Sequence, residues 1–209
     1  MKIPSIDRGI IVRKGKKMLG WHEVCEEWIL LTERYCRLMG GNDACYNYKE
    51  QANLSILSGA AFRAGWVSVS ESSIDKRDEN DNLRKGRSDL CILGPHHNQK
   101  VYIEAKVGIR KYPHKMSGAE RAENLLEKAC LDVVDIDAEH RYGLCFIRWW
   151  SPINPVETSD NIRDFIEECL QCKPDILAWC FPPEMREFQP KKPENKKYAP
   201  GVVLLARSV

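Results

Sequence analysis

Two short apolar runs, 87–93 (RSDLCIL) and 100–107 (KVYIEAKV), stand on either side of GPHHNQ, and this pair constrains the chain more than any other stretch. Both runs are rich in β-branched and apolar residues, and Gly94 and Pro95 are turn formers, so the segment reads as a β-hairpin. Side chains alternate faces along a strand. Tyr102, Glu104 and Lys106 therefore share one face, and Val101, Ile103, Ala105 and Val107 the other. Pairing Leu93 with Lys100 sets a register that puts Asp89 directly across from Glu104, the two side chains about 5 Å apart. Like charges so placed destabilise a sheet unless a proton or a cation sits between them. A divalent metal meets that need. A small number of hard oxygen ligands, with room left for water, suits Mg²⁺ or Mn²⁺ rather than Zn²⁺. In a chain with 30% charged residues an Asp followed by Glu-x-Lys will also arise by chance, so the weight rests on the shared face and the hairpin register.

Upstream, 46–64 (YNYKEQANLSILSGAAFRA) reads as a helix closed by Gly65 at the position after its C-cap. Glu50 lies four residues before Leu54 and seven before Leu57, on the core-facing stripe, where a carboxylate needs a partner. A metal or its bound water would supply one; the alternative is a first-turn Glu that favours the helix dipole. After Gly65, WVSVSE alternates as a strand, and 71–86 (ESSIDKRDENDNLRKG) reads as a polar loop leading into the hairpin. Downstream, 118–134 has helical spacing at Ala122, Leu125, Leu126 and Ala129, and 141–150 (RYGLCFIRWW) reads as a strand. The order over 42–150 is α-β-β-β-α-β.

With Glu50 on the first helix, Asp89 on one strand, and IEAK carrying Glu104 and Lys106 on the next, this stretch resembles the PD-(D/E)xK nuclease superfamily. The resemblance implies a restriction-endonuclease-like α/β fold, a mixed central sheet flanked by helices. It implies that Asp89 and Glu104 bind the metal, that Lys106 orients or activates the attacking water, and that Glu50 assists the metal shell. The sequence departs from the pattern at Ser88, which stands where a proline often precedes the aspartate, and lacks the glutamine some branches carry on the following helix; Asn124 or Arg121 would have to replace it. The activity implied is Mg²⁺-dependent phosphodiester hydrolysis, with DNA the expected substrate. RNA, and end or internal cleavage, stay open. The alternative is a catalytically silent nucleic-acid-binding or assembly module of the same fold, although all four polar positions are present.

Net charge is only +2, so overall electrostatics would not coat nucleic acid. Local charge is more telling. Arg84, Lys85 and Arg87 precede Asp89, while Arg110, Lys111, His114 and Lys115 follow Lys106. Basic loops flanking an acidic centre suit a polyanion, and Tyr112 is placed to stack on a base. The competing reading is ordinary solvated loops, which is also how Arg13 to Lys17 and Lys191 to Lys197 read. Cutting both strands of a duplex needs two sites, which a homodimer would supply. No recognised helix-turn-helix, zinc-finger or helicase motif is present, so loops, oligomerisation or a protein partner would set specificity.

With 209 residues, 43% of them hydrophobic, the chain can bury one sizeable core. We divide it into an N-terminal arm and covering helix (1–41), the core (42–150) and a C-terminal extension packed on the same domain (151–209). Segment 19–39 is an amphipathic helix with Trp21, Val24, Cys25, Trp28, Tyr35, Cys36 and Met39 on one face, and His22 reads as a surface residue. Near the C-terminus a short helix at 161–171 and strands at 175–181 and 201–207 extend the fold. Trp149, Trp150 and Trp179 read as core rather than a groove for bases. No apolar run approaches membrane length and no signal-peptide core opens the chain, so the expected location is cytoplasmic. Nine cysteines then imply reduced thiols. Cys169, Cys172 and Cys180, with Cys25, Cys36 or Cys45, raise an iron-sulfur cluster of the kind some exonucleases of that superfamily carry, but the spacing is loose and small buried hydrophobes explain the cysteines better.

Overall fold

Strand β5 (Arg141–Trp150) carries apolar side chains on both faces: Tyr142, Leu144 and Phe146 toward one, Cys145, Ile147 and Trp149 toward the other. A strand of that kind fits only the interior of a sheet covered on both sides. In the computed structural model, which describes residues 3, 5–13, 20–77, 80, 82–95, 99–111, 117–150, 158–186 and 199–209 (for 110, 111 and 158 the backbone alone), this is its place. The protein is an α/β fold on one seven-stranded mixed sheet, in the order β1-β6-β7-β5-β4-β3-β2. The other strands are β1 (Arg8–Val12), β2 (Val67–Arg77), β3 (Leu83–Leu93), β4 (Lys100–Lys111), β6 (Ile176–Cys180) and β7 (Val202–Ser208). Helices α1 (Trp21–Leu38) and α2 (Glu50–Arg63) cover one face, and α3 (Gly118–Val134) and α4 (Thr158–Gln171) the other. A short α5 (Pro183–Arg186) follows β6.

Among the described strands the one parallel pair is β4 with β5, and α3 makes the crossover between them, as a parallel connection requires. Over 42–150 the elements run α-β-β-β-α-β, the order expected from the hydrophobic pattern, and strands from all three segments of the chain join the same sheet. Helix α2 starts later than its pattern suggests, because a 3-10 turn takes Cys45–Asn47 and leaves Glu50 as the first helical residue. It ends as expected: Gly65, at φ 82°, donates to Phe62 O and Trp66 donates to Ala61 O, the double bond of a Schellman stop.

Three expectations are corrected. The polar stretch 71–86 is not a loop. It is mostly strand, since β2 and β3 continue as a two-stranded ribbon from Ser72↔Ser88 to Arg77↔Leu83. The ribbon is solvated along much of its length, so it lacks the alternating apolar signature that marks a half-buried strand. The N-terminal arm also holds a strand, β1, which pairs antiparallel with β6 at the sheet edge. On α1 the buried face includes Ile29 and Thr32, whereas Met39, just past the helix end, is exposed. At the C-terminus β6 and β7 lengthen the sheet beside β5, and Trp149 and Trp179 are buried in the core with Trp150 packed against it. No helix among the described residues is long and apolar enough to cross a membrane.

Candidate functional site

Strands β3 and β4 pair only from Leu93↔Lys100 to Leu90↔Ile103. Both then continue with other partners: β3 stays on β2 as far as Leu83, and β4 stays on β5 as far as Lys111. The sheet therefore forks, and Asp89 and Glu104 sit where the strands part. The hairpin register is the one the turn implies, but the ladder stops one pair short of bringing the two acids into it. Asp89 Oδ2 instead accepts the backbone N–H of Ala105 at 2.8 Å, which fastens that carboxylate across the opening.

Glu104 is only 6% exposed. Burial, reinforced by the Asp89 carboxylate, pushes its pKa up to about 7 against the opposing pull of Lys76. Lys76 Nζ lies 2.8 Å from Glu104 Oε1 and reaches it from β2. The sequence pattern assigns that lysine to a loop, and nothing in its local surroundings marks it. Lys106, on the same strand face as Glu104, puts Nζ 2.5 Å from Asp132 Oδ2 on α3. Burial pulls the Lys106 ammonium down, but Asp132, Glu50 and Asp89 outweigh it and hold its pKa above the usual lysine value. On α3 it is Asp132 that meets this lysine.

Glu50 opens α2, on the opposite layer from α3. The buried Asn53 side chain donates to the carbonyls of Tyr48 and Lys49 and so sets where the helix begins. Burial raises the pKa of Glu50, with Asp89 and Asp132 adding to the rise and Lys106 opposing it. A residue of the α2 layer thus shares its electrostatics with groups on β3, β4 and α3. The four residues singled out from the sequence form one electrostatic group, and the structure adds Lys76 and Asp132.

Asp89 and Glu104 offer hard carboxylate oxygens from two strands at the fork, the donor type that a divalent cation of the Mg²⁺ kind takes. Among the described residues no group of three or more acidic, histidine or cysteine side chains is gathered as a metal site; Asp89 and Glu104 are the adjacent pair, and Glu50 on α2 feels the charges of Asp89 and Lys106. The cysteines are arranged differently. Cys169 and Cys172 lie in the core beneath α4, and Cys180 in the core on the other side of the sheet.

Of the basic residues, Arg84, Lys85 and Arg87 lie exposed on the ribbon of β3 beyond the fork. Lys85 pairs with Asp75 at 2.7 Å and Arg87 with Glu71 at 3.7 Å. Glu71 itself has φ 54°, uncommon for a residue with a side chain, and the β2–β3 ladder skips it opposite Asp89. Its carboxylate accepts from Gln51 Nε2, one residue beyond Glu50. Arg110 and Lys111 end β4, but their side chains, and Tyr112, His114 and Lys115, lie outside the described residues, as do Lys14 to Lys17 and Lys191 to Lys197.

Fold and site together define an α/β protein with a forked mixed sheet and an acid–lysine cluster at the fork. Comparison with family models, with curated proteins and with solved structures finds no match.

Proposed function

We propose that this chain is a metal-dependent nuclease of the PD-(D/E)xK type, with a restriction-endonuclease-like core over 42–150 and DNA as substrate. The observation that carries the reading is Asp89 beside Glu104 where β3 and β4 part, with Lys106 on the same strand face as Glu104 and Glu50 on α2 within the electrostatic reach of Asp89 and Lys106. Asp89 and Glu104, assisted by Glu50, would hold Mg²⁺ or Mn²⁺. Such an ion, when bound, lowers the pKa of a coordinated water and offsets charge gathering on the phosphoryl group.

The protein's own groups do the rest. Hydrolysis joins a water oxygen to phosphorus, breaks the bond to the leaving sugar oxygen, and returns a proton to that oxygen. Lys106, kept cationic by Asp132, supplies hydrogen-bond donors and positive charge to the nucleophile or to the phosphoryl oxygens. The Ala105 amide fixes Asp89, so one of its oxygens is committed to the backbone. Arg84, Lys85, Arg87, Arg110, Lys111 and Lys115 are the residues assigned to the phosphate backbone of the substrate.

The test is incubation of the purified protein with supercoiled plasmid, linear duplex and single-stranded DNA in Mg²⁺, Mn²⁺ or EDTA, beside Asp89→Ala and Lys106→Ala. Metal-dependent cleavage that either substitution abolishes in a folded protein supports the reading, and full activity in either variant overturns it. A wild-type protein that binds nucleic acid without cutting it under any condition points to a silent binding or assembly module.

A further inference from the structure

Lys76 stands apart from the other cations of the ribbon. Its side chain is 16% exposed and the Glu104 side chain it meets is 8% exposed, whereas in the neighbouring pair Lys85 is 82% exposed and Asp75 46%. To reach β4 from β2, the Lys76 side chain must pass β3, which lies between them in the sheet. It does so over Gly86. A Cβ on that glycine would stand 2.9 Å from both Cγ and Cδ of Lys76, atoms close enough to the backbone that moving them would move the ammonium. The main chain at Lys76 is held as well. Lys76 bridges Ile136, Arg77 N–H donates to Asp135 O at 2.7 Å, and Asp137 N–H donates to Asp75 O at 3.2 Å. That segment directly follows α3, the helix whose Asp132 holds Lys106. A long side chain held at its root, cleared along its stem and buried at its head is a fixed strut between β2 and Glu104, in contrast to an exposed surface pair, which contributes little.

We infer that Lys76 is a positioning residue of this site: by holding Oε1 it orients the Glu104 carboxylate for a divalent cation. The inference rests on the metal-dependent reading above. Carboxylates that bind metals are commonly held by a hydrogen-bond partner of their own, and losing that partner typically costs about 10- to 100-fold in metal affinity or activity. Charge alone predicts the opposite. A lysine beside the site repels a second cation, so simple removal of its charge should tighten metal binding. The sign of the effect therefore separates orientation from bulk electrostatics.

The experiment is calorimetric titration of Mn²⁺ into the purified full chain and its variants, with cleavage followed across Mn²⁺ concentration. Lys76→Met weakens Mn²⁺ binding by about 10-fold or more, and excess Mn²⁺ restores its cleavage but not that of Lys106→Ala. Gly86→Ala, which keeps the lysine but displaces its stem, weakens binding in the wild-type background and adds nothing to Lys76→Met. Arg77→Met, which removes the same charge from the next residue, does not weaken binding. Unchanged or tighter Mn²⁺ binding in Lys76→Met overturns the inference, as does a Gly86→Ala effect that persists without the lysine. If Asp89→Asn abolishes Mn²⁺ binding while Lys76→Met leaves it intact, only the role of Lys76 falls. If Asp89→Asn leaves Mn²⁺ binding unaltered, the nuclease reading falls with it.

Discussion

Lys106 on β4 and Asp132 near the end of α3 meet at 2.5 Å between Nζ and Oδ2. The two are far apart in sequence, and only the crossover of α3 over the parallel strands β4 and β5 brings them together. Their side chains are 29% and 49% exposed, so the pair contributes little to stability, roughly 0–1 kcal/mol. What it does is aim the lysine. Asp132→Asn is expected to leave the melting midpoint nearly unchanged while lowering kcat for cleavage by about 10-fold or more, since small misplacement of a reacting group is costly. Paired melting and saturating-substrate kinetics check this; an unchanged kcat removes Asp132 from the orientation of Lys106.

The raised pKa of Glu104 makes stability depend on pH in a definite direction. Burial and Asp89 lift it from 4.5 to about 7 in the folded protein. Between those values the folded state binds more proton than the unfolded one, so stability falls as pH rises through that window and levels off above it. The ceiling on this loss is about 3 kcal/mol, from 1.36 kcal/mol per unit. Urea unfolding without added metal at pH 5 and pH 8 should show Glu104→Gln gaining on the wild type at the higher pH. An equal offset at both values would mean that the carboxyl titrates normally.

On the ribbon, Lys85 and Arg87 are held by Asp75 and Glu71 in exposed pairs. Pairs of that kind exchange readily for phosphate because they contribute so little. Replacing Arg84, Lys85 and Arg87 with Gln should weaken DNA binding and make it less sensitive to salt, the slope of log affinity against log salt shrinking by up to about 0.9 for each duplex phosphate no longer neutralised. Binding measured from low to moderate salt tests this, and an unaltered slope would place the substrate elsewhere on the molecule.

Gly65 stops α2 at φ 82°, and a Cβ there would meet nothing within 4 Å. Any cost of Gly65→Ala is therefore backbone strain alone, about 1–2 kcal/mol. Denaturant unfolding should show a loss of that size with cleavage unaffected; a larger loss would reveal packing around the helix stop that the open space does not suggest.

How far each element could be read in advance follows from where its side chains lie. Helix α3 (Gly118–Val134) and strand β5 (Arg141–Trp150) match the sequence reading at both ends, α3 because it sets an apolar stripe of helical period against a core and β5 because a short continuous apolar run marks a strand covered on both faces. The stop at Gly65 is legible because a left-handed residue after a helix favours glycine. The ribbon from Glu71 to Arg87 is not: most of its side chains meet water, so polar strand and polar loop look alike in sequence. Strand β1 escapes notice for a related reason, since a five-residue edge strand leaves little pattern to read.

The order of residues was enough for the hairpin and its register as far as Leu90↔Ile103, because an apolar run broken by a turn can pair its flanks in few ways, and so it brought Asp89 and Glu104 to the end of that ladder though not into a pair. It also put Glu50 on the core side of its helix, which follows from helical period alone. It took the assembled fold to part the sheet at those acids, to carry Lys76 across β3 over Gly86 to Glu104, and to give Lys106 to Asp132. Periodicity reports which face a side chain takes within its own element. Which groups from other elements meet it there is set by strand order, by where pairing ends and by which helix lies above, and these are properties of the complete sheet.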